Sequence, residues 1–246
     1  MAIACSLNRL ALRQATPPVQ TNARGIRFEM HPPRRVTWAY VSDSDILCLG
    51  NMTTQATTRQ FSIQDFVAEL RRFPQPAFDR TDQIIHFLEK TQIVPDTLTQ
   101  YLTWDRQHYT RNLVDKTPLY ELVAICWEVG QVSSVHNHRD QNCWMAVPIG
   151  KLLVQNYRVV SQSLEEGTCQ LAPADTVEMN PTQPCAVNPL EPVHRVFNPR
   201  EFNQRAVSLH VYSRPFDTCV VYSPDQGTCG EIKLHYTTEY GKKVST

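Results

Sequence analysis

The 246-residue chain has no surplus of charge: 24 lysines and arginines stand against 24 aspartates and glutamates, a net charge of zero. A protein that neutralises phosphates needs a basic excess, so a nucleic-acid partner is excluded. No apolar run approaches the ~20 residues that a membrane-crossing helix requires, so no membrane span is expected. The cysteines Cys5, Cys48, Cys126, Cys143, Cys169, Cys185, Cys219 and Cys229 contain no CxxC pair and keep no regular spacing. That excludes a zinc ribbon, a thioredoxin motif and a dense disulfide framework, and reads as reduced thiols in a cytoplasmic protein. With 41% hydrophobic and 20% charged residues, the chain has a globular rather than a disordered composition. At ~100–200 residues per domain, its length gives one substantial domain with an appendage, or two small ones.

Residues 1–51 start basic, reach their first acidic residue at Glu29 and contain the proline pairs Pro17-Pro18 and Pro32-Pro33. They read as a disordered or mis-started leader, with translation beginning at Met52, in preference to a transit peptide. Residues 52–108 read as a helical layer. Ser62 can cap a helix carrying Phe66, Leu70 and Phe73, the spacing of one buried face. A second helix is expected from Thr81 to Thr91 and a third from Pro95-Asp96, with Leu98, Tyr101 and Leu102 inward; Arg71-Arg72 reads as a solvated face. From residue 109 to 246 the apolar period becomes two and turns crowd together. Leu119–Trp127, Trp144–Val147, Lys151–Val159, Ala206–Tyr212 and Thr218–Tyr222 read as strands, separated by Gly130, Gly150, Gly167 and a proline cluster. Many short strands without intervening helices imply an antiparallel sandwich or barrel with a C-terminal tail.

The chemistry lies in Gly130-Gln-Val-Ser-Ser-Val-His136-Asn-His138. On a strand, residues two apart point to one face, so His136 and His138 can share a metal ion. A useful first-row metal site needs a third ligand. The best candidate is His194, in the run from Pro189 to Asn198, which a hairpin-built barrel could bring alongside.

These residues also carry a family resemblance. Gly130, five residues, His136-Asn-His138, four residues, position 143, six residues and Gly150 resemble the first cupin motif. Pro189, His194 and Asn198 resemble the second, with Glu191 where glycine is usual. Where most cupins place a glutamate ligand, this chain has Cys143, a hallmark of cysteine dioxygenases. Tyr109-Thr-Arg111-Asn-Leu-Val, Cys126-Trp127, Ser208-Leu-His210-Val-Tyr212-Ser and Pro215-Phe-Asp-Thr-Cys219 are similar to further stretches of that family, in the same order. The resemblance runs from about Phe61 to Tyr222.

What it implies is a mainly β cupin barrel (a double-stranded β-helix, or jelly roll) with a small helical layer in front. It further implies one Fe(II) per chain on His136, His138 and His194. The activity implied is oxidation of L-cysteine by O2 to cysteine sulfinic acid, a step of cysteine catabolism toward taurine. Arg111 would clamp the substrate carboxylate and Tyr109 would add a hydroxyl contact. Tyr212 would stand beside the iron, joined to Cys143 by a thioether. His210 and Ser208 would fix the Tyr212 hydroxyl, and Cys219 would line the pocket. Losing the carboxylate ligand suits this chemistry, because three neutral imidazoles leave the ion's full charge for a thiolate. The partners expected are a small thiol and O2, with the protein a monomer.

Plainer readings stand beside these. Cys143 could be a small buried strand residue, Arg111 a surface partner of Asp115, and Tyr212 and Ser208 ordinary strand positions. His31, His86, His108 and His235 have no partner at ligand spacing. Many members of the family continue after the tyrosine-serine pair with two prolines, the first in a cis peptide. Here Ser213-Arg214-Pro215 stands instead, so either the turn is rebuilt or strain is stored, with Arg214 able to reach the pocket. The rival activities are dioxygenation of 3-mercaptopropionate or cysteamine; the rival class is a non-catalytic metal-binding or ligand-sensing cupin.

Overall fold

The computed structural model describes residues 58–187 and 192–244. The leader at 1–51, and Pro189 and Glu191 of the second motif, lie outside them. After a short strand β1 (Arg59–Phe61), Ser62 adopts extended backbone angles and opens α1 (Ile63–Leu70), its hydroxyl oxygen accepting from the Asp65 amide. Ile63, Phe66 and Leu70 are the buried face of α1. A short α2 (Gln75–Asp79) begins behind Pro74 and carries Pro76 in its first turn, where a missing N–H costs nothing. The second expected helix, α3 (Asp82–Glu89), stops two residues before Thr91. Thr91 turns its hydroxyl back onto the Phe87 carbonyl at 2.7 Å and starts β2 (Thr91–Ile93), which pairs in parallel with β1. The third expected helix is a 3-10 turn, Pro95–Tyr101.

The strands that follow are β3 (Thr110–Lys116), β4 (Tyr120–Trp127), β5 (Val135–His136), β6 (Cys143–Ile149), β7 (Leu152–Ser163), β8 (Thr168–Met179) and β9 (Cys185–Ala186), then β10 (Val193–Phe197), β11 (Ala206–Ser213), β12 (Thr218–Ser223), β13 (Thr228–Lys233), β14 (Thr238–Glu239) and β15 (Lys242–Lys243). One set closes into a ring in the order β10-β5-β12-β13-β8-β7; the other forms a sheet in the order β15-β14-β3-β4-β11-β6-β9. The chain is mainly β and has the cupin architecture.

Period-two alternation sorts the second sheet's side chains between two cores. Tyr120, Leu122 and Ala124 of β4, Leu209 and Val211 of β11, and Trp144 of β6 face outward onto Ile63, Phe66, Phe78, Ile84 and Leu98 of the helical layer. Val123, Ile125 and Trp127, with Cys143, Met145 and Tyr212, face inward against Leu152, Val154, Met179 and Val196. With both faces covered, every residue of β4 and of β11 is buried. A polar residue on the inner face therefore lies in a place where it must be partnered or used. Gly150 shows the closeness of the packing: a Cβ there would stand 2.5 Å from the Arg205 carbonyl oxygen, at a φ of +71°.

Arg71 is not merely solvated. Its guanidinium grips Asp115 through two bonds, at 3.0 and 2.5 Å, and Asp115 also accepts from the Tyr120 hydroxyl. Burial alone would raise the Asp115 carboxyl, but the bonds from Arg71 and Tyr120 outweigh it and hold the group below its ordinary value. Asp115→Ala should therefore cost about 2 kcal/mol, most of it from the buried Tyr120 side because Arg71 is half exposed. A carboxyl with a depressed folded value stabilises above the ordinary carboxylate range and loses that contribution as pH falls. Urea titrations should thus show the gap between variant and wild type at pH 7 shrinking below about pH 4.

Candidate metal centre

β5 lies hydrogen-bonded between β10 and β12, and its register sets His136 directly opposite His194. His138, two residues on, completes a cluster whose ligating nitrogens all lie within 4.8 Å of one another. The ring centroids are 5.2, 4.8 and 4.8 Å apart. Two rings are oriented by backbone carbonyls: His136 Nδ1 stands 2.9 Å from the Ser134 oxygen and His194 Nδ1 3.2 Å from that of Pro192. With Nδ1–H donated, the Nε2 lone pair of each is free. Both nitrogens of His138 and Nε2 of His194 are buried with no partner, a costly arrangement unless something binds them. Burial pushes His136 down to about 4, His194 to about 3 and His138 well below its usual value. All three are thus neutral, the state in which imidazole binds metal. No carboxylate joins the cluster among the described residues. The donor set fits a divalent first-row ion that keeps positions open for other ligands.

The inner face of β11 carries Ser208, His210 and Tyr212 in a row. Trp127 Nε1 donates to Ser208 Oγ at 2.9 Å, Ser208 Oγ lies 2.8 Å from His210 Nε2, and the Tyr212 hydroxyl lies 3.2 Å from His210 Nδ1. The indole can only donate, which gives this chain a direction. The buried Ser208 proton has His210 Nε2 as its partner, so the His210 proton is on Nδ1 and is donated to the Tyr212 oxygen. That leaves the Tyr212 proton free to point onward. Burial keeps His210 well below its usual value, hence neutral, and holds the Tyr212 phenol well above its own. Cys143 sits directly across from Tyr212 in the β6–β11 register, its Sγ 3.9 Å from His210 Nδ1.

A cavity of about 40 Å³ opens on this group, lined by Tyr109, Arg111, His136, His138, Tyr212 and Cys219 among others. It has room for a few waters. A larger hollow of about 220 Å³ near Phe66 and Pro148 has no titratable group in its lining, so volume does not mark the site. Tyr109 stacks on Trp127 with centroids 4.7 Å apart. Arg111 does not pair with Asp115, which belongs to Arg71; its Nε and Nη2 are buried without partners. Burial works against its charge, but Tyr212, Tyr109 and Glu121 around it more than offset that.

All ten residues singled out in the sequence, His136, His138, His194, Tyr212, Cys143, His210, Ser208, Arg111, Tyr109 and Cys219, thus lie in or against one site. Arg214 does not. It is exposed, its Nε donating to Gln141 at 3.1 Å, and its φ of +74° is how the turn is rebuilt, with no cis peptide among the described residues. Four residues were missed: Trp127 at the head of the relay, Phe216 with its ring 5.0 Å from that of Tyr212, and the bonded pair of buried Glu121 and half-buried Tyr236. A polar residue on a doubly covered strand was the available signal for Glu121.

A family model described as cysteine dioxygenase type I matches residues 52–225, more than half of the chain. The cysteine dioxygenase type 1 of Danio rerio is 27% identical over 184 residues, covering 74% of this chain and 90% of its own length. That of Rattus norvegicus is 28% identical over 162 residues, covering 65% and 78%. A solved double-stranded β-helix protein from Klebsiella pneumoniae aligns at 17% identity with a TM-score of 0.31, over 48% of this chain and 86% of that one. That overlay is too loose to bear on function. The family match instead spans both histidine segments, Arg111 and the β11 relay: the chain belongs to the cysteine dioxygenase type I family.

Proposed function

We propose that one Fe(II), held by His136, His138 and His194, serves this chain in oxidising L-cysteine with O2 to cysteine sulfinic acid, both oxygen atoms entering the sulfur. The observation that carries the reading is the pairing of three neutral imidazoles with an arginine whose buried Nε and Nη2 donors are open. Bound there, the ion would hold the thiol deprotonated and activate O2.

The other steps fall to the chain's own groups. Arg111 offers its fork to the substrate carboxylate and so orients the thiol toward the histidines. Tyr109 and Cys219 line the same cavity, with the Phe216 ring beside Tyr212. The Trp127–Ser208–His210 relay fixes the Tyr212 oxygen and leaves its proton available at the reacting centre. A thioether between Cys143 and Tyr212 is supported by their cross-strand register. Cys143→Ser should keep the metal and abolish the two-hydrogen mass deficit that the crosslink would leave in an intact-mass spectrum. All these groups come from a single chain, so a monomer is a complete unit. The free thiols among the described residues suit a reducing cytoplasm.

The test is oxygen uptake by Fe(II)-loaded protein with L-cysteine, 3-mercaptopropionate, cysteamine or no thiol. The expected result is uptake with L-cysteine in step with sulfinate. Preference for 3-mercaptopropionate or cysteamine would overturn the substrate assignment. No thiol-dependent uptake would favour the ligand-sensing cupin.

A further inference from the structure

Glu121 is wholly buried on the inner face of β4, a carboxylate inside an apolar core. Strand register places it in a row across the sheet: Lys116 on β3, Glu121 on β4, Tyr212 on β11 and Cys143 on β6 are successive cross-strand partners. Such neighbours have Cβ atoms about 5 Å apart, so Glu121 stands beside the reacting tyrosine. Its Oε2 accepts from the Tyr236 hydroxyl at 2.5 Å and lies 3.9 Å from the Lys116 ammonium, while Oε1 has no partner. Arg111, whose charge Glu121 helps to support, also has buried donors without partners. An orphan carboxylate oxygen and an orphan guanidinium in one core would normally close into an ion pair.

Tyr236 touches both groups: its hydroxyl holds Glu121, and its ring centroid is 6.0 Å from the Arg111 guanidinium carbon. The tail that bears Tyr236 is strapped along the strand that bears Arg111. The Thr237 amide donates to the Arg111 carbonyl at 2.6 Å, the Arg111 amide donates to the Thr237 hydroxyl at 3.2 Å, and β14 pairs in parallel with β3. Lys116 is partly exposed and holds Glu121 only weakly.

We infer that Tyr236 is a latch that keeps Glu121 from closing onto Arg111, so that the arginine's donors stay open to a substrate carboxylate while Glu121 balances its charge at a distance. Tyr236 and Glu121 are then positioning residues that set selectivity for carboxylate-bearing thiols. This rests on the assignment of Arg111 as the carboxylate clamp. Removing the latch frees Glu121 to occupy the clamp; removing the Glu121 charge as well leaves the clamp open again.

The experiment is anaerobic calorimetry on the full-length, Fe(II)-loaded protein, so that binding is read without turnover, with steady-state kinetics alongside. Tyr236→Phe should weaken L-cysteine binding about tenfold, the loss of one charge-assisted contact, and raise KM without a matching fall in kcat. Cysteamine, which has no carboxylate, should bind within twofold of wild type. The double variant Tyr236→Phe/Glu121→Gln should recover L-cysteine affinity, a rescue that a purely structural role for Tyr236 would not give. Unchanged affinity in Tyr236→Phe, equal losses for both thiols, or no rescue would each overturn the latch while leaving the thiol dioxygenase reading intact. Wild-type protein with no preference for L-cysteine over cysteamine would overturn the clamp and the latch together.

Discussion

His194→Ala should abolish stoichiometric metal binding and, with it, thiol-dependent oxygen uptake. His194 is fully buried, its Nδ1 is tied to the Pro192 carbonyl, and its Nε2 has no protein partner. The ring is therefore oriented for one task that the protein itself leaves undone. Loss of a ligand leaves two imidazoles that cannot hold a labile divalent ion. Changes that only disturb the partners of metal ligands already cost 10–100-fold in affinity, so removing a ligand should cost at least about 100-fold. Iron content by atomic absorption should fall from near one per chain to a trace. A second readout separates metal loss from misfolding. Added Fe(II) at about 100 times the wild-type dissociation constant should stabilise wild type by about 2.7 kcal/mol and His194→Ala hardly at all, with the two apo proteins keeping similar circular dichroism. A variant that retained one tightly bound iron would show that the three-histidine assignment is wrong.

Much of this site was legible in the sequence because it lies on strands, where one alternation both builds the barrel and sorts chemistry to its inner face. Ser208, His210 and Tyr212 alternate along β11 and share its inner side, and His138 stays beside His136 although β5 ends at His136. The α1 start was legible from a local bond, Ser62 to Asp65. What stayed hidden depends on partners distant in sequence. β8 escaped notice because most of its residues are exposed and Ala172, Pro173 and Ala174 interrupt any apolar alternation. Glu121 and Tyr236 are 115 residues apart and belong to no motif; only the parallel addition of β14 to β3 brings them together. Arg214 was misplaced for a backbone reason, since a left-handed φ turns its side chain out to Gln141.

Arg111→Ala should raise KM for L-cysteine about 100-fold, the factor carried by ~3 kcal/mol of bidentate, charge-assisted hydrogen bonding in a buried site. The guanidinium is planar, faces the cavity that the histidines share, and has at least two donors that no protein group occupies. Binding energy from the carboxylate is realised before and during the reaction alike, so its loss should appear mainly in KM, with kcat falling less. Arg111→Lys should recover only part of the affinity, since an ammonium supplies the charge but not the fork. Cysteamine is the internal control. It has no carboxylate to lose, so its KM should move by less than about threefold, within the range expected for an uncharged contact. The same substitution removes the cation that Glu121 faces, and the unfolding midpoint should be measured beside the kinetics to register that separate cost. Selectivity, not stability, distinguishes the two roles. A large loss for L-cysteine alone makes Arg111 the clamp, whereas equal losses for both thiols would make it a structural cation matched to Glu121.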